Sequence, residues 1–238
     1  MSLTAKSPGA LATWCLFLTA PAVAAQTAYT FTTFTVPQST YTDAFGIAEN
    51  GDLTGYYGLA DGSYQGFLRT AQGKIITVSY PGSGESAAYG MNKSGVLAGA
   101  YGTFGGFLYS KSVRTYRSVV VEGQPAPLSD INDSGCYVGV YGAPGAFNAF
   151  VASPAGQITT LQYPGGYYTA LVWIKNSGEI IGTFEDDFQR LHTFLYNAES
   201  GYKTIAIPGR PGATIGDINS SGIVVGTYFD GVTDRAFT

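Results

Sequence analysis

The sequence predicts an all-β fold, namely a five-bladed β-propeller of four-stranded blades whose ring is closed by the N-terminal strand. Three observations lead to this prediction. The composition is rich in glycine and tyrosine and poor in charge, one motif recurs five times at near-constant spacing, and the two ends of the chain resemble complementary parts of one blade.

The composition excludes several classes of protein. The 238-residue chain contains 33 Gly and 18 Tyr, and only 12% of its residues are charged. Helical bundles and coiled coils require far more Ala, Glu, Lys and Leu and far less Gly. A hydrophobic share of 45% is too high for a disordered chain. A formal net charge of −4 without a basic run argues against nucleic acid or an anionic membrane surface as a partner.

The motif apolar-x-x-x-Gly-x-x-x-Gly-x-aromatic occurs five times. Its first glycines lie 40 to 44 residues apart and are Gly51, Gly95, Gly135, Gly178 and Gly222. Repeats of this length that hold four short strands are typical of propeller blades. A β-solenoid is the alternative, but its coils are usually nearer 20–30 residues.

Each repeat is predicted to contain four strands in order. The first is short and apolar, as in residues 88–91, and ends at an Asn-x-Ser-Gly turn in which Gly supplies a positive φ. The second alternates, as in residues 223–228, and its central Gly indicates close approach of a neighbouring group. The third resembles residues 194–196. The fourth, as in residues 75–80, ends at a Pro-Gly corner, which residues 124–127 replace in the third repeat.

The two ends of the chain lead to the prediction of a closed ring. The fifth repeat stops at residues 235–238, where its third strand begins, whereas residues 29–36, followed by Pro37, look like a fourth strand without its first three. Residues 29–36 would therefore complete the last blade and remove its open edge. The alternative is that the chain is a fragment of a larger ring or of a longer array.

Residues 1–25 are predicted to be a secretory signal peptide. Lys6 precedes an apolar stretch over residues 10–20, and Val23-Ala24-Ala25 offers small residues for cleavage before Gln26. The stretch is shorter than the roughly 20 residues that span a bilayer, and an uncleaved anchor is the alternative. The mature chain, residues 26–238, would be secreted (extracellular or periplasmic), without a membrane span and with Cys136 as its single cysteine, so it could form no intramolecular disulfide.

A His-Thr-Phe step at residues 192–194 carries a family resemblance. Matching steps precede the third strand of the other repeats: residues 65–67, 105–107, 148–150 and 235–237, each ending in Phe. Together with the Ile-Asn-x-Ser-Gly and Tyr-Pro-Gly elements, they make residues 29–238 resemble the bacterial extracellular HAF-repeat proteins. The resemblance implies a secreted or surface-exposed bacterial protein of propeller type. It implies no established activity, and no catalytic residues can be transferred.

Several residues could carry chemistry, and each has a structural alternative. The segments that begin at Asp130 and Asp217 match the start of a calcium loop, but Tyr occupies the position of the bidentate Glu, which favours a hairpin turn. His192 is the only histidine, so neither a catalytic triad nor a zinc centre is indicated. Glu185, Asp186 and Asp187 are a weak candidate for a metal site, with a solvated acidic rim as the alternative. No cofactor is predicted.

Loop tyrosines provide the candidate binding surface. Tyr41, Tyr64, Tyr167 and Tyr168 lie in loops predicted to share one rim, where an exposed phenol ring suits a sugar or a protein partner. With His192 they form the candidate ligand site. The sequence thus favours a secreted, non-catalytic protein that binds a glycan or surface protein at one rim. One alternative is a glycoside-active enzyme that uses Asp130 and Asp217 near the axis. The other is a structural surface module from a longer array.

Overall fold

A computed structural model describes residues 32–143, 146–205, 213–218 and 224–238, and of Ala146, Asp217 and Ile218 it describes the backbone alone. One compact unit covers residues 35–238, and it contains all the strands given below. The part of the chain that the structure describes contains strands and no helix.

The strands form five antiparallel sheets, called blades 1 to 5 here. Blade 1 contains β1 (Thr42–Ile47), β2 (Leu53–Gly58), β3 (Tyr64–Arg69) and β4 (Ile75–Val78). Blade 2 contains β5 (Ser86–Met91), β6 (Val96–Tyr101), β7 (Gly105–Ser110), β8 (Thr115–Val121) and β9 (Gln124–Pro125). Blade 3 contains β10 (Leu128–Ile131), β11 (Tyr137–Ala143), β12 (Ala146–Ala152) and β13 (Ile158–Leu161). Blade 4 contains β14 (Tyr168–Ile174), β15 (Ile180–Glu185), β16 (Leu191–Asn197) and β17 (Gly201–Ile205). Blade 5 contains β18 (Thr214–Ile218), β19 (Val224–Phe229) and β20 (Asp234–Phe237).

These blades confirm the predicted five-bladed β-propeller. In every blade the strands pair in chain order, so each blade is an antiparallel meander. The first strands are the inner ones, because β1 contacts β5, β5 contacts β10 and β10 contacts β14 around one axis. The irregular corner after β8 forms the short β9, which pairs with the end of β8 and gives blade 2 a fifth strand.

The central glycine of each second strand makes room for the phenylalanine that ends the His-Ala-Phe-type step. The register pairs Gly55 with Phe67 and repeats this Gly–Phe pairing in the other four blades. A Cβ at Gly55 would lie 2.8 Å from the Phe67 ring, and it would also overlap the Asp43 carbonyl. The phenylalanine rings of blades 1 to 4 are fully buried between blades, where each stabilises the fold by about 2–3 kcal/mol. The predicted close approach is therefore confirmed.

Every inner strand also carries a β-bulge, which the sequence analysis did not predict. The pairing of β1 with β2 skips Phe45, and the same irregularity recurs in the four equivalent pairings. The skipped residues are Phe45, Tyr89, Ser129, Val172 and Gly216. A bulge interrupts the strict alternation of side chains, so two consecutive residues of each inner strand can face the axis.

The Asn-x-Ser-Gly segments at residues 92–95 and 132–135 form the hairpin turns that the sequence predicts, while the one at residues 219–222 lies outside the described residues. Asn132 Oδ1 accepts hydrogen bonds from the Cys136 N–H (2.9 Å) and the Ser134 hydroxyl (2.7 Å), while Gly135 has a φ of 85°. The Asp133 carboxylate joins neighbouring turns. It accepts hydrogen bonds from the Lys93 N–H (2.7 Å) and from Asn176 Nδ2 (2.9 Å), and these bonds link blades 2, 3 and 4.

The corner at residues 36–42 repeats the geometry of the corners that follow fourth strands. The Val36 N–H donates to Thr42 Oγ1 (3.1 Å), as the Tyr80 N–H donates to Ser86 Oγ (2.9 Å). Gln38, at the position of the corner glycines, has a φ of 67°. The chain therefore enters blade 1 as it enters blades 2 and 4.

The strand predicted over residues 29–36 is not seen in the described part of the chain. Residues 32–36 lie in no strand, residues 29–31 lie outside the described residues, and blade 5 has three described strands rather than four. Val225 of blade 5 is 42% exposed, whereas the equivalent Ala98, Val138 and Ile181 are fully buried. Ala44 of blade 1 is likewise exposed where Ala88 is buried. Closure of the ring by the N-terminal strand stays a prediction.

The predicted signal peptide, residues 1–25, lies outside the described residues. Within residues 32–143, 146–205, 213–218 and 224–238, no helix is long and apolar enough to cross a membrane.

Candidate ligand-binding site

The inner strands of blades 1 to 4 border an open cavity of about 680 Å³ on the axis. Its wall contains the four bulge residues of these strands together with the residues that follow them. The aromatic side chains among them are Phe45, Tyr89 and Trp173, and Tyr64 from β3 adds a fourth. The cavity thus combines aromatic surface with a few polar groups, as is usual for small-molecule sites.

Asp130 supplies the carboxylate of this cavity. Its Oδ2 accepts a hydrogen bond from the Ile174 N–H of the next blade (3.0 Å). The Cα of Asp130 lies close to Gly90 of the preceding blade, since a Cβ added to Gly90 would be 3.1 Å from the Asp130 Cα. Asp130 therefore holds three inner strands together, and the absence of a side chain at Gly90 permits this close approach.

The second carboxylate of the enzyme alternative is Asp217. Its backbone lies in β18, where it pairs with Val225. Its side chain lies outside the described residues, so the pair formed by Asp130 and Asp217 stays a prediction.

Tyr41 and Tyr64, two of the predicted rim residues, belong to one aromatic cluster. Both contact Tyr56, with ring centroids 6.0 Å and 5.3 Å away. Tyr56 stacks on Phe45 at 5.4 Å, and Phe45 contacts Tyr89 edge-on at 5.4 Å. We call these five residues the aromatic cluster. It runs from the rim into the axial cavity, because Phe45, Tyr64 and Tyr89 also line the cavity wall.

The phenols of Tyr56, Tyr64 and Tyr89 remain hydrogen-bond donors at neutral and mildly alkaline pH. Burial raises the pKa of Tyr64, and the Glu85 carboxylate raises it further. Burial also raises the pKa of Tyr56, with a contribution from Asp43, and it raises the pKa of Tyr89. The cluster can therefore offer both apolar ring faces and neutral hydroxyl groups to a ligand.

The other two predicted tyrosines lie elsewhere on blade 4. The Tyr168 ring contacts Phe147 at 6.4 Å, and Phe147 contacts Phe104 at 5.7 Å, which gives a second aromatic row across three blades. Tyr167 is 80% exposed. The described ring contacts thus place Tyr168 in a row separate from the aromatic cluster, and a shared binding role of the four tyrosines stays a prediction.

His192 and Asp186 form a local ion-pair network in the loop between β15 and β16. His192 Nε2 lies 2.9 Å from Asp186 Oδ2, and Arg190 Nε donates to the same oxygen (2.8 Å). The Arg190 hydrogen bond, aided by His192 and two backbone N–H groups, holds the pKa of Asp186 well below its ordinary value despite some desolvation. His192 also stacks on Phe184 at 5.0 Å. This arrangement stabilises the loop.

The weak metal candidate at Glu185, Asp186 and Asp187 receives no support from this geometry. The Asp186 carboxylate already accepts hydrogen bonds from Arg190 and from the N–H groups of Phe188 and Arg190. Among the described residues, no group of three or more His, Cys, Asp or Glu side chains is placed to hold a metal ion.

Sequence reasoning missed three aromatic residues of the cavity wall, namely Phe45, Tyr89 and Trp173. The signal that could have found Trp173 is the repeat alignment, because Trp173 occupies the position of Gly46, Gly90 and Asp130 in the first three repeats. Phe45 and Tyr89 gave no comparable signal, since their exposure to the axis depends on the bulge.

Comparison with known proteins supports the fold. No protein-family model matches the chain, and no curated protein matches it. Solved structures do. TolB from Acinetobacter baumannii is similar over 73% of this chain and 45% of its own, with 15% identity and a TM-score of 0.55. A catalytically inactive virginiamycin B lyase from Staphylococcus aureus, solved with quinupristin, is similar over 82% and 65%, with 14% identity and a TM-score of 0.53.

A putative gluconolactonase is similar over 84% of this chain and 76% of its own, with 13% identity and a TM-score of 0.50. The chain spans less than two thirds of the length of TolB and of the lyase. At these identities the likeness concerns the fold alone, and the protein is a β-propeller module.

Proposed function

We propose that this protein is a secreted, non-catalytic propeller of the HAF-repeat type that binds a glycan or a surface protein at one rim. The observation that carries the proposal is the aromatic cluster. Five aromatic side chains from blades 1 and 2 meet where the rim opens into the axial cavity, and two of them, Tyr41 and Phe45, are 45% and 52% exposed. Aromatic rings that stay exposed on a rigid scaffold are typical of binding surfaces.

The proposal is tested by screening the protein against immobilised polysaccharides, a glycan array and surface proteins. The double variant Tyr41→Ala/Tyr64→Ala should lose at least about tenfold in affinity for any ligand found. Val113→Ala is the matched control, since it shortens an exposed apolar side chain on the opposite face, in the turn between β7 and β8. Equal binding by the double variant and the wild type would contradict a rim site.

One observation favours glycoside hydrolysis as a second candidate function, because Asp130 lies in the axial cavity. A second carboxylate, Asp217, is required in this case. Reducing-sugar release from a polysaccharide panel, abolished by Asp217→Asn, would support the enzyme and exclude the non-catalytic proposal. The expected result is no release by the wild type.

A further inference from the structure

We infer that the axial cavity is a subsite for an uncharged saccharide ring, which stacks on Tyr89 or Trp173 and is selected against acidic sugars by Asp130. The inference rests on the proposed binding function and specifies its ligand. The size of the cavity is the first argument. At about 680 Å³ it lies within the roughly 300–1,000 Å³ of small-molecule sites.

The chemistry of the wall is the second argument. Four aromatic side chains line the cavity, and Ser129, Thr103 and Asp130 add hydroxyl and carboxylate oxygens. A saccharide ring has apolar C–H faces and a rim of hydroxyl groups. The aromatic rings can cover its faces, while the few polar groups can accept or donate hydrogen bonds at its edge.

The sign of the charge is the third argument. Asp130 is the charged residue among the described residues of the cavity wall, and it is negative. Asp43 and Glu85 place further negative charge beside Tyr56 and Tyr64 of the aromatic cluster. Because like charges repel strongly in a partly desolvated site, a uronate or sialate group would be disfavoured and a neutral sugar admitted.

Trp173 provides a direct reporter of this cavity. The chain contains two tryptophans, Trp14 and Trp173. A Trp14→Phe variant of the full chain therefore keeps Trp173 as its one tryptophan, so a ligand in the cavity changes the intrinsic fluorescence. This variant is titrated with neutral xylo- and cello-oligosaccharides and with oligogalacturonates of the same length. The fluorescence change gives the affinity of each ligand and shows whether the ligand binds in the cavity.

The expected result is a saturable change in Trp173 emission with at least one neutral series and at least about tenfold weaker binding of oligogalacturonate. Tyr89→Ala should weaken the neutral ligand by about tenfold. Asp130→Asn keeps an oxygen for the Ile174 N–H and should reduce the preference for neutral sugars at least about fivefold, an effect that loss of packing would not produce. Val113→Ala, which shortens an exposed side chain in the turn between β7 and β8, should change neither value. Unchanged thermal unfolding would verify that each variant is folded.

Three outcomes would overturn the inference. In the first, screening finds a ligand that binds the Tyr41→Ala/Tyr64→Ala variant more weakly but leaves Trp173 emission unchanged. The ligand then binds at the rim and not in the cavity, so the proposed function is kept and the cavity inference is wrong. If the acidic series binds as tightly as the neutral one, or if only an organic cation such as tetramethylammonium binds, the saccharide assignment is wrong. If no ligand is found in any screen, the proposed function fails and the inference fails with it.

Discussion

The contact between the glycine of the second strand and the phenylalanine of the third can be tested at Gly99. A Cβ there would overlap the Ala87 carbonyl oxygen and lie 2.6 Å from Cζ of Phe107, whose ring is fully buried. Neither neighbour can move freely, because one is ladder backbone and the other is enclosed by Tyr80 and Tyr116. Overpacking of this kind costs about 3 kcal/mol, while the lower entropy of the unfolded chain offsets about 0.4–1 kcal/mol.

We therefore expect Gly99→Ala to lower the free energy of unfolding by about 2–3 kcal/mol. With a slope of about 2 kcal/mol/M in urea, the midpoint would fall by about 1–1.5 M. Gly84→Ala is the matched control. No atom lies within 4 Å of a Cβ at that position, so its free energy of unfolding should stay within about 0.5 kcal/mol of the wild type.

A double variant separates the two clashes at Gly99. Phe107→Leu removes the ring contact but leaves the Ala87 carbonyl in place, so Gly99→Ala combined with Phe107→Leu should be less destabilised than the two single changes together, by about 1 kcal/mol. A Gly99→Ala variant that unfolds at the wild-type urea concentration, or strict additivity in the double variant, would refute the packing argument.

Three further predictions concern other parts of the chain. Asp52 is 3% exposed, and burial raises the pKa of its carboxyl, but the paired Lys111 together with hydrogen bonds from Ala71 and Asn50 outweighs burial and lowers the pKa overall. Asp52→Asn should cost about 2–3 kcal/mol at pH 7. A carboxylate whose pKa is lowered in the folded state stabilises the fold above its ordinary pKa of 3.8, and this stabilisation is lost as the pH falls through the folded-state pKa. The destabilisation caused by Asp52→Asn should therefore shrink when urea unfolding is measured at acid pH. A destabilisation that does not change with pH would contradict the role of this ion pair. Asp186→Asn should release His192 and speed tryptic cleavage in the loop after β15, and an unchanged cleavage rate would show that the ion pairs do not hold the loop. Deletion of residues 26–37 should lower the midpoint of thermal unfolding if they complete blade 5, whereas an unchanged midpoint would exclude ring closure.

Much of the fold was predictable because the same local chemistry recurs five times. Turn glycines such as Gly135 and the hydrogen bonds of Asn132 depend on residues close together in the chain, so their spacing alone marks each hairpin. The Gly–Phe pairing is also local, since it joins adjacent strands of one blade. The short β9 was not predicted, because residues 124–125 pair only after the corner has turned the chain back.

The candidate site was predictable only in part. Tyr41 and Tyr64 were identified from their loops, and the structure does bring both against Tyr56. Tyr167 and Tyr168 were grouped with them from the same repeat pattern, and the structure places Tyr168 against Phe147 rather than in the aromatic cluster. His192 was included as a candidate for ligand binding; the structure pairs it with Asp186 of its own loop, and its part in binding stays a prediction.

The sequence by itself determined the number of blades, the order of their strands and the turns between them, because these features depend on short-range patterns repeated at a constant period. Only the tertiary structure decided which side chains meet on the axis. The β-bulge shifts the alternation of every inner strand at one point, and residues as distant as Phe45 and Trp173 share a cavity because separate blades converge there. The second effect is encoded in no single repeat, because it depends on how the blades are arranged around the axis.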